Sequence, residues 1–167
     1  MLTRQLALKL FEGFSIQRWT DLIRPFDMVE MDKAAEKMVL GYIIGKYEEE
    51  KGNYVDWQWM IYASIFDLLR KIALCDIKAP VVDMLRKEYA TEYLHLNEWV
   101  LRQYKPLIND DELFSKFTIY MGQHVGQIPL QKKSELAKKI LSAANKFATL
   151  RELQMLSVVN EHERLEQ

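Results

Sequence analysis

Residues 63–81 read Ala63-Ser64-Ile65-Phe66-Asp67-Leu68-Leu69-Arg70-Lys71-Ile72-Ala73-Leu74-Cys75-Asp76-Ile77-Lys78-Ala79-Pro80-Val81. Together with the residues just before it, this stretch carries Trp57, Met60, Ile61, Ser64, Ile65, Leu68, Leu69 and Ile72 at spacings of three and four, the repeat of one helical face. The spacing predicts a helix from about Tyr54 to Leu74, apolar over much of its circumference and therefore central to the fold. Cys75-Asp76 then makes a short acidic turn. Pro80 opens a further helix, because proline suits a first helical turn. Asp67 and Asp76 are the carboxylates of this stretch, and Phe66, beside the first of them, has no donor atom at all.

Working outward toward the N-terminus, Gly52-Asn53 reads as a turn, and Glu30 to Lys51 as a helix. Met31, Ala34, Ala35, Met38, Val39, Tyr42 and Ile43 give that helix a wide apolar face, with Lys33, Glu36, Lys37, Lys46 and Glu48 to Glu50 mostly opposite. Residues 20–29 lack a clear period, and Pro25 disfavours helix at Arg24, so an extended connection is expected. Leu6, Leu8, Leu10, Phe11 and Phe14 predict a first helix over roughly 3–14. Between them stands Arg18-Trp19. A guanidinium offers planar donors to phosphate oxygens and an indole offers a flat apolar wall; the alternative is that Trp19 caps a small core beside a solvated Arg18.

Toward the C-terminus, Val81, Val82, Leu85, Tyr89 and Tyr93 supply a helical face that continues to about Tyr104, with a break expected near Ala90-Thr91. Asn109-Asp110-Asp111 offers an N-cap for a helix from Glu112 to about Met121. Gly122, Gly126 and Pro129 mark a loop that holds His124. Gln131 to about Asn160 reads as helix in one or two pieces, with Leu136, Ile140, Leu141, Ala144, Phe147, Ala148 and Leu150 as its apolar positions. Lys132, Lys133, Lys138 and Lys139 read as a solvated basic face. The polar end, Glu161 to Gln167, is expected to fray.

Composition narrows the classes. The 167 residues suit one domain with a real core, here read as 1–167, and 49% hydrophobic with 28% charged residues is ordinary for a globular protein. Six Gly and four Pro are few, which favours long helices over many short strands. A formal charge of −1 gives no general attraction to nucleic acid or anionic membranes. One cysteine excludes an internal disulfide, no apolar run would span a bilayer, and Lys9 and Glu12 interrupt any signal-like core, so the cytoplasm is the expected location. His95 lies three residues from both Glu92 and Glu98, His124 is in the Gly-containing loop, and His162 is in the tail. None has a second histidine at the three- or four-residue spacing of a helical metal site.

Several of these residues, in this order, resemble the HD-domain phosphohydrolases, particularly the 5'-deoxynucleotidase-like branch. Arg18-Trp19 matches an Arg-Trp pair soon after the first helix, where the family's Arg meets substrate phosphate and its Trp packs by the sugar. Glu30-Met31 stands at the Glu-His that opens the next helix, Phe66-Asp67 at the His-Asp pair, and Cys75-Asp76 with Pro80-Val81 at the Gly-Asp and its proline turn. Arg70 holds the place of a glutamate used in acid–base work, and Ala144 or Asn145 holds that of a late aspartate ligand. The resemblance implies an all-α fold of irregularly packed helices. It also implies that the metal site is degenerate: both imidazoles are replaced, by Met31 and Phe66, one carboxylate is lost at Ala144 or Asn145, and Arg70 cannot act as a base near neutral pH.

Two functions follow from that reading. One is a degenerate HD-domain protein without a metal cofactor or metal-dependent hydrolysis. It would bind a nucleotide or phosphate through Arg18, Trp19 and Arg70, or act through protein contacts that include a homo-oligomer. The other is an active phosphohydrolase in which Asp67, Asp76 and further carboxylates hold Mg²⁺ or Mn²⁺. The ligand chemistry favours the first.

Overall fold

The structure is a computed structural model that describes residues 3–164, with side chains described through Asn160. Its described residues are all-α, with no strand beyond an isolated antiparallel bridge between Gln17 and Val29. The helices are α1 (Arg4–Phe11), α2 (Glu30–Glu50), α3 (Trp57–Ala73), α4 (Ala79–Glu88), α5 (Ala90–Tyr104), α6 (Asp111–His124) and α7 (Glu135–Arg164), with short 3-10 turns at Glu12–Phe14 and Lys132–Ser134. Of the polar end, Leu165 to Gln167 lies outside the described residues.

The chain falls into two compact units. The first is built from the N-terminal stretch up to Glu12 together with Ile65–Gln131, and the second from Gly13–Ser64 together with the chain from Lys132 onward. The start of α3 belongs to the second unit and its remainder, from Ile65, to the first.

In the first unit the core is aromatic. Phe66, Tyr104 and Phe117 are all buried, as are Leu69, Val100 and Met121. Phe66 stacks on Phe117 with centroids 4.7 Å apart, and Tyr104 meets Phe117 edge-on at 5.6 Å. The Tyr104 hydroxyl donates to the Leu69 carbonyl at 2.6 Å, so its one polar atom is satisfied inside the core. Thr3 caps α1 by accepting from the Leu6 amide and ties it down by donating to the Leu107 carbonyl at 3.0 Å. Asp110 caps α6 through the Leu113 amide, as its sequence position suggests. The break between α4 and α5 falls at Tyr89, whose φ of −131° and ψ of 64° interrupt the helix.

In the second unit α2 and α7 run antiparallel along one another: Lys33 meets Thr149 near one end, and Leu141 faces Gly41 further along. Asp56 sits just before α3 and is buried. One of its oxygens accepts from the Trp59 amide and the other from the Ser134 hydroxyl at 2.7 Å, which joins the start of α3 to the turn leading into α7. That cap explains why α3 begins at Trp57 rather than at Tyr54.

The expected burial of α2 is reversed. Met38, Val39, Tyr42 and Ile43 are exposed, while Glu30, Lys33, Gly41 and Gly45 are buried. Trp57 lies against Gly45, Met60 and Leu141 lie against Gly41, and the Trp57 indole donates to Glu49. Close approach at two glycines, together with buried charge at the helix start, orients α2 instead of its bulkiest stripe. Phe147 and Leu150 of α7 are likewise exposed, as are Leu8, Phe11 and Phe14 near the N-terminus, Ile61 of α3, and Val81 and Tyr89. His124 is the last residue of α6 and not part of a loop, because the helix runs three residues beyond Met121 before Val125 caps it.

These contacts set the sign of two substitutions. Alanine at a helix-interior glycine gains about 1 kcal/mol of helix propensity. At Gly45 the new methyl would strike the Trp57 ring, which is not the end of a flexible chain. Gly45→Ala should therefore destabilise by about 1–3 kcal/mol. Gly41→Ala, with neighbours at 3.3 Å that end in a Leu and a Met methyl, should lie within about 1 kcal/mol of the parent. Urea midpoints of the two variants measured side by side provide the check.

Candidate functional site

The chain approaching α2 is pinned by backbone pairing. The Arg18 amide donates to the Met28 carbonyl at 2.7 Å and the Glu30 amide to the Ile16 carbonyl at 2.9 Å. Trp19 follows with φ of 58°, a left-handed conformation that costs energy for a bulky side chain and turns the backbone sharply. The result is that Arg18 and Trp19 point to the same carboxylate.

Arg18 donates from Nε to Glu152 Oε1 at 2.9 Å and from Nη2 to Oε2 at 2.8 Å, a two-pronged pair, and from Nη1 to Glu30 Oε2 at 2.8 Å. The Trp19 indole N–H donates to Glu152 Oε2 at 2.9 Å. Lys33 Nζ donates to the Thr149 hydroxyl at 2.7 Å and lies 3.9 Å from Glu152. Two cations and two carboxylates thus share one largely buried cluster with no net formal charge. Burial works against the charge on Arg18, but the hydrogen bonds and charges of Glu152 and Glu30 outweigh it and hold the guanidinium above its usual pKa.

Glu152 is the residue that reading the chain by itself misses. It lies 134 positions from Arg18, and its only sequence signal is a charge on the buried side of a long helix. Lys33, expected on the solvent side of α2, is buried for the same reason. Also in this unit, Met31 is half-buried, Asp32 is exposed, Ala144 is fully buried, and the carbonyl of half-buried Asn145 accepts from Thr149.

The first unit holds the other motif positions. Phe66 is 1% exposed and touches Tyr120 as well as Phe117. Asp67 pairs with Lys71 at 3.3 Å, and Arg70 Nη2 lies 3.9 Å from it. Arg70 Nε is buried without a hydrogen-bond partner. Burial, then the negative charge of Asp67, pushes the Tyr120 hydroxyl well above its usual pKa, so it stays protonated. Tyr120 stacks beside His124, whose Nε2 is 2.8 Å from the Tyr93 hydroxyl. Asp76 is exposed and faces the Cys75 thiol at 3.8 Å. His95, Glu92 and Glu98 are exposed, and the side chain of His162 lies outside the described residues.

The residues at the positions that resemble the family's metal ligands are a poor fit to a divalent ion. Phe66 offers no lone pair and is enclosed by aromatic rings, Met31 offers only a thioether, and Ala144 offers nothing. Among the described residues no three His, Cys, Asp or Glu side chains come together in a metal-binding group. Nor is any helix there long and apolar enough to cross a membrane.

Compared with protein-family models, with curated proteins and with solved structures, the chain matches none.

Two measurements probe this chemistry. Glu152→Ala leaves Arg18 buried without its two-pronged partner and should cost about 3–5 kcal/mol. The pair Arg18→Met with Glu152→Gln should cost less than the sum of the single changes by at least about 1 kcal/mol, read from a double-mutant denaturation cycle. Partial burial and then Asp76 raise the Cys75 pKa, which lowers its thiolate fraction at neutral pH. Its reaction with a disulfide reagent should be slower than that of free cysteine, and Asp76→Asn should speed it in a stopped-flow assay.

Proposed function

We propose that this chain is a degenerate HD-like protein that works through protein contacts and not through metal-dependent phosphoryl hydrolysis. The observation that carries the reading is Phe66: it is buried and stacked on Phe117 at 4.7 Å, so the position aligned with a metal-binding imidazole is part of a packed aromatic core. The companion replacements act in the same direction. Met31 is a poor ligand for hard or borderline ions, and Arg70 cannot accept a proton from water at neutral pH.

A nucleotide-binding role would ask Arg18 and Trp19 to meet phosphate and sugar. Here three Arg18 nitrogens and the Trp19 indole donate to buried carboxylates, which favours a role in bracing the second unit. Arg70 remains as a half-buried cation whose Nη2 lies 3.9 Å from Asp67, so part of its charge is already offset. The lone cysteine suits the reducing interior of a cell.

The test joins metal content, turnover and stability. Purified protein should carry no stoichiometric transition metal and should not hydrolyse deoxynucleoside monophosphates with added Mg²⁺, Mn²⁺ or Co²⁺. Phe66→Ala should lose about 3–5 kcal/mol, as expected of a core aromatic. Metal-dependent turnover that disappears in Asp67→Ala would overturn the proposal and favour the carboxylate-based hydrolase.

A further inference from the structure

Two arginines of the chain lie mostly inside, and only one of them is satisfied. The Arg18 side chain is 18% exposed and makes three hydrogen bonds to carboxylates at 2.8–2.9 Å. The Arg70 side chain is 11% exposed and makes none among the described residues: Nε is buried without an acceptor, and the Asp67 oxygen 3.9 Å from Nη2 is beyond hydrogen-bond reach. A guanidinium drawn out of water without acceptors is costly, so its donors call for a partner. Tyr120 poses the same demand. Its hydroxyl makes no hydrogen bond among the described residues, while its ring lies 5.8 Å from that of Phe66, one turn before Arg70 on α3. The charges of Asp67 and Arg70 both act on that hydroxyl, which burial keeps protonated and therefore a donor.

We infer that Arg70 and Tyr120 form a binding site for one small monovalent carboxylate, which accepts from the guanidinium and from the phenol hydroxyl. The planar edge of a guanidinium matches the two oxygens of a carboxylate, and an ionised acceptor gives the stronger class of hydrogen bond. Charge selects a monoanion. Arg70 and Lys71 against Asp67 leave a surplus of one positive charge on this part of α3. One negative charge balances that surplus. A phosphate dianion would leave an excess beside the Asp67 carboxylate, and like charges repel more strongly where burial lowers the dielectric. The Arg70 and Asp67 side chains keep 11% and 14% of their exposure, so the site lies at the edge of the packed core and is not sealed within it. Tyr120 is flanked by the rings of Phe66 and His124, which suits a carboxylate on a short apolar remainder. The inference does not depend on whether the chain works through protein contacts.

Nitrogen–proton spectra of the arginine side chains in the full chain test it, with sodium acetate titrated against sodium chloride at equal ionic strength. The Arg70 Nε–H resonance, identified by its loss in Arg70→Gln, should shift saturably with acetate and not with chloride. Tyr120→Phe should weaken acetate binding about tenfold with the helical circular dichroism unchanged. In calorimetry, inorganic phosphate at about pH 8, where it is a dianion, should bind more weakly than acetate. Acetate should also raise the melting midpoint of the unmodified chain above that in chloride, a reading that needs no variant. An Arg70 resonance that acetate leaves in place, or a melting midpoint equal in the two salts, overturns the inference. A chloride response as large as that of acetate means an adventitious ion only and overturns the site, and phosphate binding tighter than acetate overturns the carboxylate class.

Discussion

The second unit depends on the buried carboxylate of Glu152. It accepts two hydrogen bonds from Arg18 and one from Trp19, with the Lys33 ammonium nearby. Removing a carboxylate and a guanidinium from water costs several kcal/mol each, and their attraction offsets this only when the geometry is good and the remaining polar atoms are engaged. Here the two-pronged pairing and the indole donor meet that condition at the Glu152 carboxylate. The cluster gathers three distant parts of the chain: the connection after α1, the first turns of α2 and the later part of α7. An apolar cluster would accept small slips among them, whereas directed hydrogen bonds specify one register.

The first unit is held by a different kind of contact. Phe66, Tyr104 and Phe117 form a stack-and-edge arrangement, and the hydroxyl of Tyr104 finds the Leu69 carbonyl without leaving the core. Beside it, Asp67 has cationic neighbours one turn along its own helix in Arg70 and Lys71. An aspartate paired in this way has less negative field to offer a metal ion. Phe66 thus offers no donor, and the cations at 70 and 71 offset the charge of Asp67 beside it.

The exposed side of α2 follows from how its buried side is built. Gly41 and Gly45 admit Met60, Leu141 and the Trp57 ring, and Lys33 and Glu30 complete the inward face near the N-terminus. With small and charged residues turned inward, the bulky stripe has nowhere to go but outward. An apolar stripe with that origin is a consequence of the internal packing and also a surface available for association.

Much of the helical layout is legible in the chain itself, because a period of 3.6 and the capping residues are local properties. The central helix, expected over about Tyr54 to Leu74 and found at Trp57–Ala73, the break expected near Ala90-Thr91 and found at Tyr89, and the Asp110 cap all follow from neighbouring residues. That Met31 offers only a thioether and Phe66 no donor is equally a matter of residue identity. Tertiary structure alone decided which face of α2 is inside, since periodicity measures how bulky a stripe is and not whether two glycines opposite it allow a closer approach. It alone also decided that Arg18 and Trp19 end on Glu152: a bond between residues 134 positions apart depends on where α2 and α7 bring the chain together, and no local pattern encodes that distance.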